Sequence, residues 1–433
     1  MNFRARLPSG SIVYSKQQMK KILLAAGILL GALYSCTSEK QQEQEQKSKK
    51  VLFVIVDGIP YDVIDSVETP NLDKIISEGG IMKATMGGEK DGYSQTPTIS
   101  AVGYNSVLTG VWANKHNVWG NSIKDPNYHY STVFRLFKNQ FPAGKTAIYS
   151  TWLDNRTKLV GDGLLQTGNL KIDEHFDGLE LDTVNYPHDE ERMYIHLIDE
   201  EVSKTAAKSI AENAPDLSWM YLEFTDDMSH RYGNSPQYVD AVKKADFQIG
   251  RVWDAIKERE AKFQEDWLIV ITTDHGREDD GHGHGGQSDR ERSIWIATNA
   301  KDLNSHFDEI GQTVDILPSI ANFMELDIPK DKAMELDGTP FIGAVDASNF
   351  KAVKNENEIS LTWNSLSNSG KGNVWISTTN NFKSGGKDSY ELVGEIDLKK
   401  ESYSFSPENM NSEFYKVVLE TPSGYLNYWI FEE

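Results

Sequence analysis

Six consecutive apolar residues, 51–56 (VLFVIV), are followed at once by Asp57 and Gly58. Such a run is too short for a helix and too continuous for a half-exposed strand, so it predicts a central parallel strand buried on both faces. Residues 146–151, 219–224, 268–271 and 293–297 repeat that texture. Between them the spacing turns helical. Thr69 reads as an N-cap with Pro70 at the first helical position, and Pro97 and Gly110 bracket a helix that has Ser100 in its first turn. Residues 190–212, 236–258 and 313–320 continue the helical pattern. The 236–258 helix is expected to bury Val239, Val242, Phe247, Ile249, Val252 and Ile256. The alternation predicts an α/β fold over residues 51–345: a mostly parallel central sheet with helices on both faces. Residues 158–187, rich in Gly and Asp, are expected to be excursions near a site. Past Gly343 come short alternating stretches at 358–363, 372–378, 390–396, 414–419 and 425–431. They predict a small all-β sandwich over residues 346–433, with Trp363, Trp375 and Trp429 in its core.

Composition narrows the partners. The 433 residues carry a formal charge of −21, too acidic for a protein that binds nucleic-acid duplexes by neutralising phosphates. An anionic substrate would therefore need a metal. Cys36 stands alone, so no internal disulfide forms. From Met19 the chain runs through Lys20-Lys21 and a short apolar stretch to Leu33-Tyr34-Ser35-Cys36, which resembles a bacterial lipoprotein signal with its lipobox. Met19 is read as the start of that signal, with residues 1–36 as the signal and lipobox. Residues 37–50 form a polar tether with nothing to bury. The expected location is the cell envelope, lipid-anchored through Cys36 and facing the periplasm or the cell surface. A plain secretory signal is the alternative.

The candidate chemistry gathers where apolar runs end. Residues 270–286 read VITTDHGREDDGHGHGG, so Asp274, His275, His282 and His284 follow a buried strand in a chain with ten His. Loops at the carboxyl ends of strands carry the chemistry of open α/β sheets. Asp57 ends the first strand, although an Asp there also caps turns. The third apolar run, 219–224, leads to Asp226 and His230, a spacing that puts both on one face of a helix and is also common by chance. Ser100, at a helix N-terminus, meets unpaired N–H groups that favour an alkoxide and bind phosphoryl oxygen; there Ser100 or Thr98 could also be a simple cap. Three carboxylates and a serine alkoxide balance the charge of two zinc ions, a site that can activate a nucleophile and clamp both oxygens of a displacement at phosphorus.

In order along the chain, VIVDG, SAVGYNSVLTG, TDDMSH, TTDHG and GHGG together resemble the alkaline phosphatase superfamily, and within it the type I phosphodiesterase and nucleotide pyrophosphatase branch. The resemblance spans about residues 51–343 and implies an alkaline-phosphatase-like sheet. The C-terminal part is similar to a fibronectin type III module. The resemblance implies two zinc ions, one on Asp226, His230 and His284 and the other on Asp57, Ser100, Asp274 and His275. His284 rather than His282 is implied because Gly285-Gly286 follow it. It also implies that Ser100 attacks a phosphate ester, most naturally a small-molecule phosphodiester or a nucleotide pyrophosphate, through a phosphoseryl intermediate. One departure stands out: the family has Thr followed by Phe-Pro-Asn, where this chain has Ser100-Ala101-Val102-Gly103. Asn105 or Asn121 is left to bind a phosphoryl oxygen. Sulfatases share the fold but need Cys or Ser followed by Pro and Arg, which Ser100 lacks. The alternatives are a phosphomonoesterase of the same superfamily, or a surface lipoprotein that only binds.

Overall fold

The computed structural model describes residues 47–367, 370–407 and 412–431. Cys36 and the apolar run before it lie outside these residues. Among the described residues no helix is long and apolar enough to cross a membrane. Residues 48–433 form one unit.

Its main sheet has eight strands: β1 Ser48–Val56, β2 Gly80–Thr85, β3 Thr146–Ser150, β4 Glu174–Phe176, β5 Leu217–Leu222, β6 Glu265–Thr272, β7 Ser293–Thr298 and β8 Gly311–Gln312. Their spatial order is β4-β3-β5-β1-β6-β7-β2-β8. All neighbouring pairs are parallel except β6/β7 and β7/β2, so β7 alone runs against the rest. β1 sits in the middle, as its unbroken apolar run requires. Period-2 alternation sends Val51, Phe53 and Ile55 to one face and Leu52, Val54 and Val56 to the other.

Helices cover both faces. Beside three single-turn helices at Tyr61–Ile64, Asp289–Arg292 and Lys330–Ala333, they are α1 Pro70–Ile76, α2 Ser100–Thr109, α3 Ala113–His116, α4 Val133–Gln140, α5 Met193–Glu212, α6 Phe224–Tyr232, α7 Pro236–Lys262 and α8 Ile316–Phe323. Leu108 of α2, Phe134 of α4 and Leu317 of α8 pack on the first face. Leu72 of α1, Ile198 of α5 and Ile249 of α7 pack on the second. Each fully buried aliphatic side chain of this kind contributes about 1.5–3 kcal/mol.

Several expectations change. Thr69 precedes α1, but its side chain makes no capping bond. The carboxylate of Asp246 on α7 takes the Asn71 and Leu72 N–H groups instead, pinning α1 to α7. The buried stripe of α7 runs Tyr238, Val242, Ala245, Ile249, Val252 and Ile256, while Phe247 is 62% exposed. A residue two positions from both Ala245 and Ile249 is turned about 200° from each, away from the core. The 158–187 region also supplies an edge strand, β4.

The C-terminal strands are β9 Ala347–Asn355, β10 Glu358–Ser365, β11 Lys371–Ser377, β12 Glu391–Asp397, β13 Ser402–Phe405, β14 Phe414–Thr421 and β15 Gly424–Phe431. They form two antiparallel sheets, β13-β10-β9 and β12-β11-β14-β15. Leu361, Trp363, Val374 and Leu419 pack between the sheets. Trp429 is buried but outside that core, on the other face of β15 against Tyr93 and Lys115, and Trp375 is only half-buried, its indole N–H donating to Glu420 and its ring lying under the Lys330 ammonium.

Candidate active site

The carboxyl ends of β5, β1 and β6, three adjacent parallel strands at the centre of the sheet, deliver the site. Asp57 follows β1, Asp226 lies in the first turn of α6 just after β5, and Asp274 with His275 follows β6. Ser100 is the first residue of α2, and His284 comes from the loop beyond His275. Two groups of potential metal-ligand atoms result, Asp57/Asp274/His275 and Asp226/His230/His284, each gathered within 4.8 Å.

In the first group every residue is buried, and each spends one atom on the protein while leaving another free. Tyr221 donates to Asp57 Oδ2 at 2.7 Å and Tyr104 donates to the same oxygen, so Oδ1 has no partner. Gly58 N–H donates to Asp274 Oδ1 at 3.1 Å, and Asp274 Oδ2 has no partner. His275 Nδ1 meets the Gly276 carbonyl at 2.9 Å, which makes Nδ1 the protonated nitrogen and leaves the Nε2 lone pair free. His275 Nε2 lies 3.4 Å from Asp57 Oδ1, 3.1 Å from Asp274 Oδ2 and 3.4 Å from Ser100 Oγ. Ligands about 2.0–2.2 Å from a tetrahedral zinc stand roughly 3.3–3.6 Å apart. Orphaned carboxylate oxygens and a free imidazole lone pair at these separations fit a divalent cation.

The second group is more open. His230 and Asp226 sit one turn apart on α6, as their spacing anticipates, with Nε2 3.3 Å from Oδ2. His230 Nε2 and His284 Nε2 approach to 3.0 Å. His284 Nδ1 is committed to the Thr98 carbonyl at 2.8 Å, so its Nε2 is the free nitrogen. His282 stays outside the group, with Nδ1 on the His230 carbonyl at 3.0 Å.

Charge explains the protonation states. Burial, reinforced by the Asp226 and Asp274 charges, pushes Asp57 well above the usual carboxylate range. Burial and Asp226 likewise raise Asp274 to about 7. Burial also pushes Asp226 up, but the Arg277 guanidinium and the His230 hydrogen bond outweigh it and hold Asp226 well below the usual range. Burial, then the His284 and Arg277 charges, keeps His275 neutral. A cavity whose carboxylates resist ionising together calls for compensating cations.

No Arg or Lys stands between Lys90 and Lys115 around Ser100, and Arg277, a cation from a distant loop, does not turn toward Ser100. It is fully buried and donates to the Asp226 carboxylate and to the Asp226 and Gly58 carbonyls. Gly58 makes this approach possible: its φ is +68°, and a Cβ there would come 2.4 Å from the guanidinium. At Gly103 a Cβ would stand 2.7 Å from the Asp274 carbonyl oxygen, so α2 packs directly on the Asp274 turn. An Asn side chain has no room at this position in this packing.

Of the two candidate phosphoryl ligands, Asn121 comes to the N-terminus of α2 beside Ser100: its Oδ1 accepts the Ala101 N–H at 3.0 Å, which leaves its amide nitrogen as the donor. Asn105 is buried five residues along α2, roughly 7.5 Å of rise from Ser100. Thr98 is not a cap; its hydroxyl donates to the Gly286 carbonyl and accepts from Gly285 N–H, bracing the His284 loop. Tyr104 and Tyr221 went unread in the sequence because tyrosines in apolar runs look like core. Tyr104, four residues after Ser100 on one helix, was the detectable one.

A central, mostly parallel sheet whose strand ends bring a helix-borne serine up to paired carboxylate–histidine groups belongs to the alkaline phosphatase superfamily. Within it the chain is a member of the type I phosphodiesterase/nucleotide pyrophosphatase family, whose model matches residues 51–392. The match runs past Gly343 into β12. Human ectonucleotide pyrophosphatase/phosphodiesterase family member 5 is 25% identical over 262 residues, covering 59% of this chain and 50% of the relative. Rat family member 7 is 26% identical over 249 residues, covering 54% and 51%. The chain thus spans about half the length of these curated relatives. Among solved structures, murine ectonucleotide pyrophosphatase/phosphodiesterase 5 aligns at 14% identity with a TM-score of 0.47, covering 65% of this chain and 96% of that one. An inactive form of the murine protein was solved with AMP.

Proposed function

We propose that this chain hydrolyses phosphodiester or nucleotide pyrophosphate bonds through a phosphoseryl intermediate on Ser100. The observation that carries this reading is Ser100 Oγ standing 3.4 Å from Nε2 of His275, in the buried one of two groups that could hold a metal ion. Asp57, Ser100, Asp274 and His275 would hold one zinc ion, and Asp226, His230 and His284 the other. Bound zinc would supply Lewis acidity toward the Ser100 hydroxyl, the leaving oxygen and the incoming water.

The chain's own residues do the rest. The bond formed joins Ser100 Oγ to phosphorus while the ester oxygen departs on the opposite side. Water then cleaves the phosphoserine and restores Ser100. The N-terminus of α2 stabilises the charge on Oγ, and the amide of Asn121 donates to a phosphoryl oxygen. Tyr104 and Tyr221 keep Asp57 aimed through one oxygen.

The charge count favours diesters. Three carboxylates and the Ser100 alkoxide carry four negative charges against four on two zinc ions, so the loaded site is neutral. A diester, or one phosphorus of a pyrophosphate, brings a single negative charge, the smaller demand on such a site. A monoester dianion would need a further cation at Ser100, and Arg277, spent on Asp226 and Gly58, is unavailable for it. The names of the curated relatives, ectonucleotide pyrophosphatase/phosphodiesterases, support a nucleotide-type substrate. We also propose that Cys36 carries a lipid anchor, so that the enzyme works at the envelope surface.

The test is kcat/KM for bis(nitrophenyl) phosphate against nitrophenyl phosphate, a ratio that reports differential transition-state stabilisation. Diester preference is expected. Monoester preference would overturn the substrate reading.

A further inference from the structure

The C-terminal strands grip both segments that flank the nucleophile helix. On the leading side, the Tyr93 ring packs edge-on to Tyr428 at 5.0 Å and stacks on Trp429 at 6.0 Å, and the Tyr428 hydroxyl donates to Glu89. This loop runs directly into Ser100. On the trailing side stands Lys115 of α3, fully buried. Its ammonium donates to the Glu335 carbonyl at 2.8 Å, to Asp337 Oδ1 at 2.6 Å and to Asn427 Oδ1 of β15 at 2.8 Å. It also lies 4.9 Å from the centre of the Trp429 ring.

Lys115 and His116 close the base of the loop that carries Asn121. Asn127 N–H donates to the His116 carbonyl at 2.8 Å, and Asn127 Nδ2 reaches the Lys115 carbonyl at 3.3 Å and the Lys383 carbonyl of the C-terminal part at 2.9 Å. His116 Nδ1 accepts from Val118 N–H, so Nε2 carries the proton and donates to Ser106 Oγ of α2 at 3.1 Å. At the far side of the same loop, Asn121 holds the Ala101 N–H. One chain of hydrogen bonds therefore leads from β15 through Lys115 to the base of the loop that carries Asn121.

We infer that Lys115 is a positioning residue for phosphoryl transfer, and that the C-terminal strands, by holding it through Asn427, belong to the active-site scaffold. This rests on the role given above to Asn121. A buried ammonium with three fixed acceptors sets the base of a loop far more firmly than solvent contacts would. Misplacement by about 1 Å can cost on the order of a hundredfold in rate.

The experiment is a double-mutant cycle on the full chain with bis(nitrophenyl) phosphate. Lys115→Met and Asn427→Ala are each measured alone and with Asn121→Ala, and kcat is normalised to active sites counted by burst amplitude. Asn427→Ala removes one acceptor and leaves Asp337 paired, so it carries the test if Lys115→Met does not fold. Asn121→Ala should lose about 10²–10³ in kcat, as for an oxyanion donor. Asn427→Ala should lose roughly tenfold with KM and metal content unchanged, and nothing further in the Asn121→Ala background. Losses that multiply, or a lower melting temperature with unchanged kcat per active site, would overturn the inference alone. An Asn121→Ala enzyme with wild-type kcat would remove the role of Asn121 and the inference with it.

Discussion

The two carboxylate–histidine groups use the same residue types in opposite settings. Asp57, Asp274 and His275 are buried, each with one atom fixed by the protein and one left free. In the other group the His230 side chain is 44% exposed, and Asp226 is held by Arg277 rather than by neutral donors. The difference teaches a division of labour. On the proposed reading the buried group would pre-set its atoms around Ser100, where reorganisation costs most. The open group, with His230 half-exposed, would be where a leaving oxygen departs and water enters.

The largest expected effect breaks the buried side. Ser100→Ala should lose about 10⁴-fold or more in turnover, as loss of a nucleophile does, while six side-chain ligands keep both ions. Steady-state kinetics with metal analysis checks this. Activity retained in Ser100→Ala and lost in Thr98→Ala would move the nucleophile. The next sharpens the contrast itself: a chelator should strip the open group first, giving two kinetic phases of metal release followed by a colorimetric zinc indicator. A single phase would erase the distinction. Smaller again, Tyr221→Phe frees Asp57 Oδ2 from one donor and should weaken the buried ion by about 10–100-fold, the usual cost of a lost outer-shell partner. Titration with zinc buffers would read it, and unchanged affinity would mean that Tyr104 alone orients Asp57.

The same contrast decided what could be read from sequence. Asp57, Asp274 and His275 stood out because an apolar run ending in an acidic residue marks a strand end, and the order of five weak motifs named the family. The Asp226/His230 spacing was visible, but only the fold shows that the residues share a helix face. What stabilises the site was hidden. Tyr221 lies inside an apolar strand, Asp246 caps α1 from more than 170 residues away, and Arg277 follows the Asp-His pair while turning back beneath it. No local pattern encodes such non-local bonds. β2 and β9 lack the unbroken apolar run or clean alternation that marked the other strands, β8 and β13 are only two and four residues long, and Phe247 was misread by counting apolar residues without their angle.

The most direct test of the account counts metal in purified protein grown with zinc. The account predicts about two zinc ions per chain, about one in His284→Ala, and two in His282→Ala, whose ring serves only the His230 carbonyl. Wild-type protein without bound metal, or an ion lost from His282→Ala and kept in His284→Ala, would contradict it.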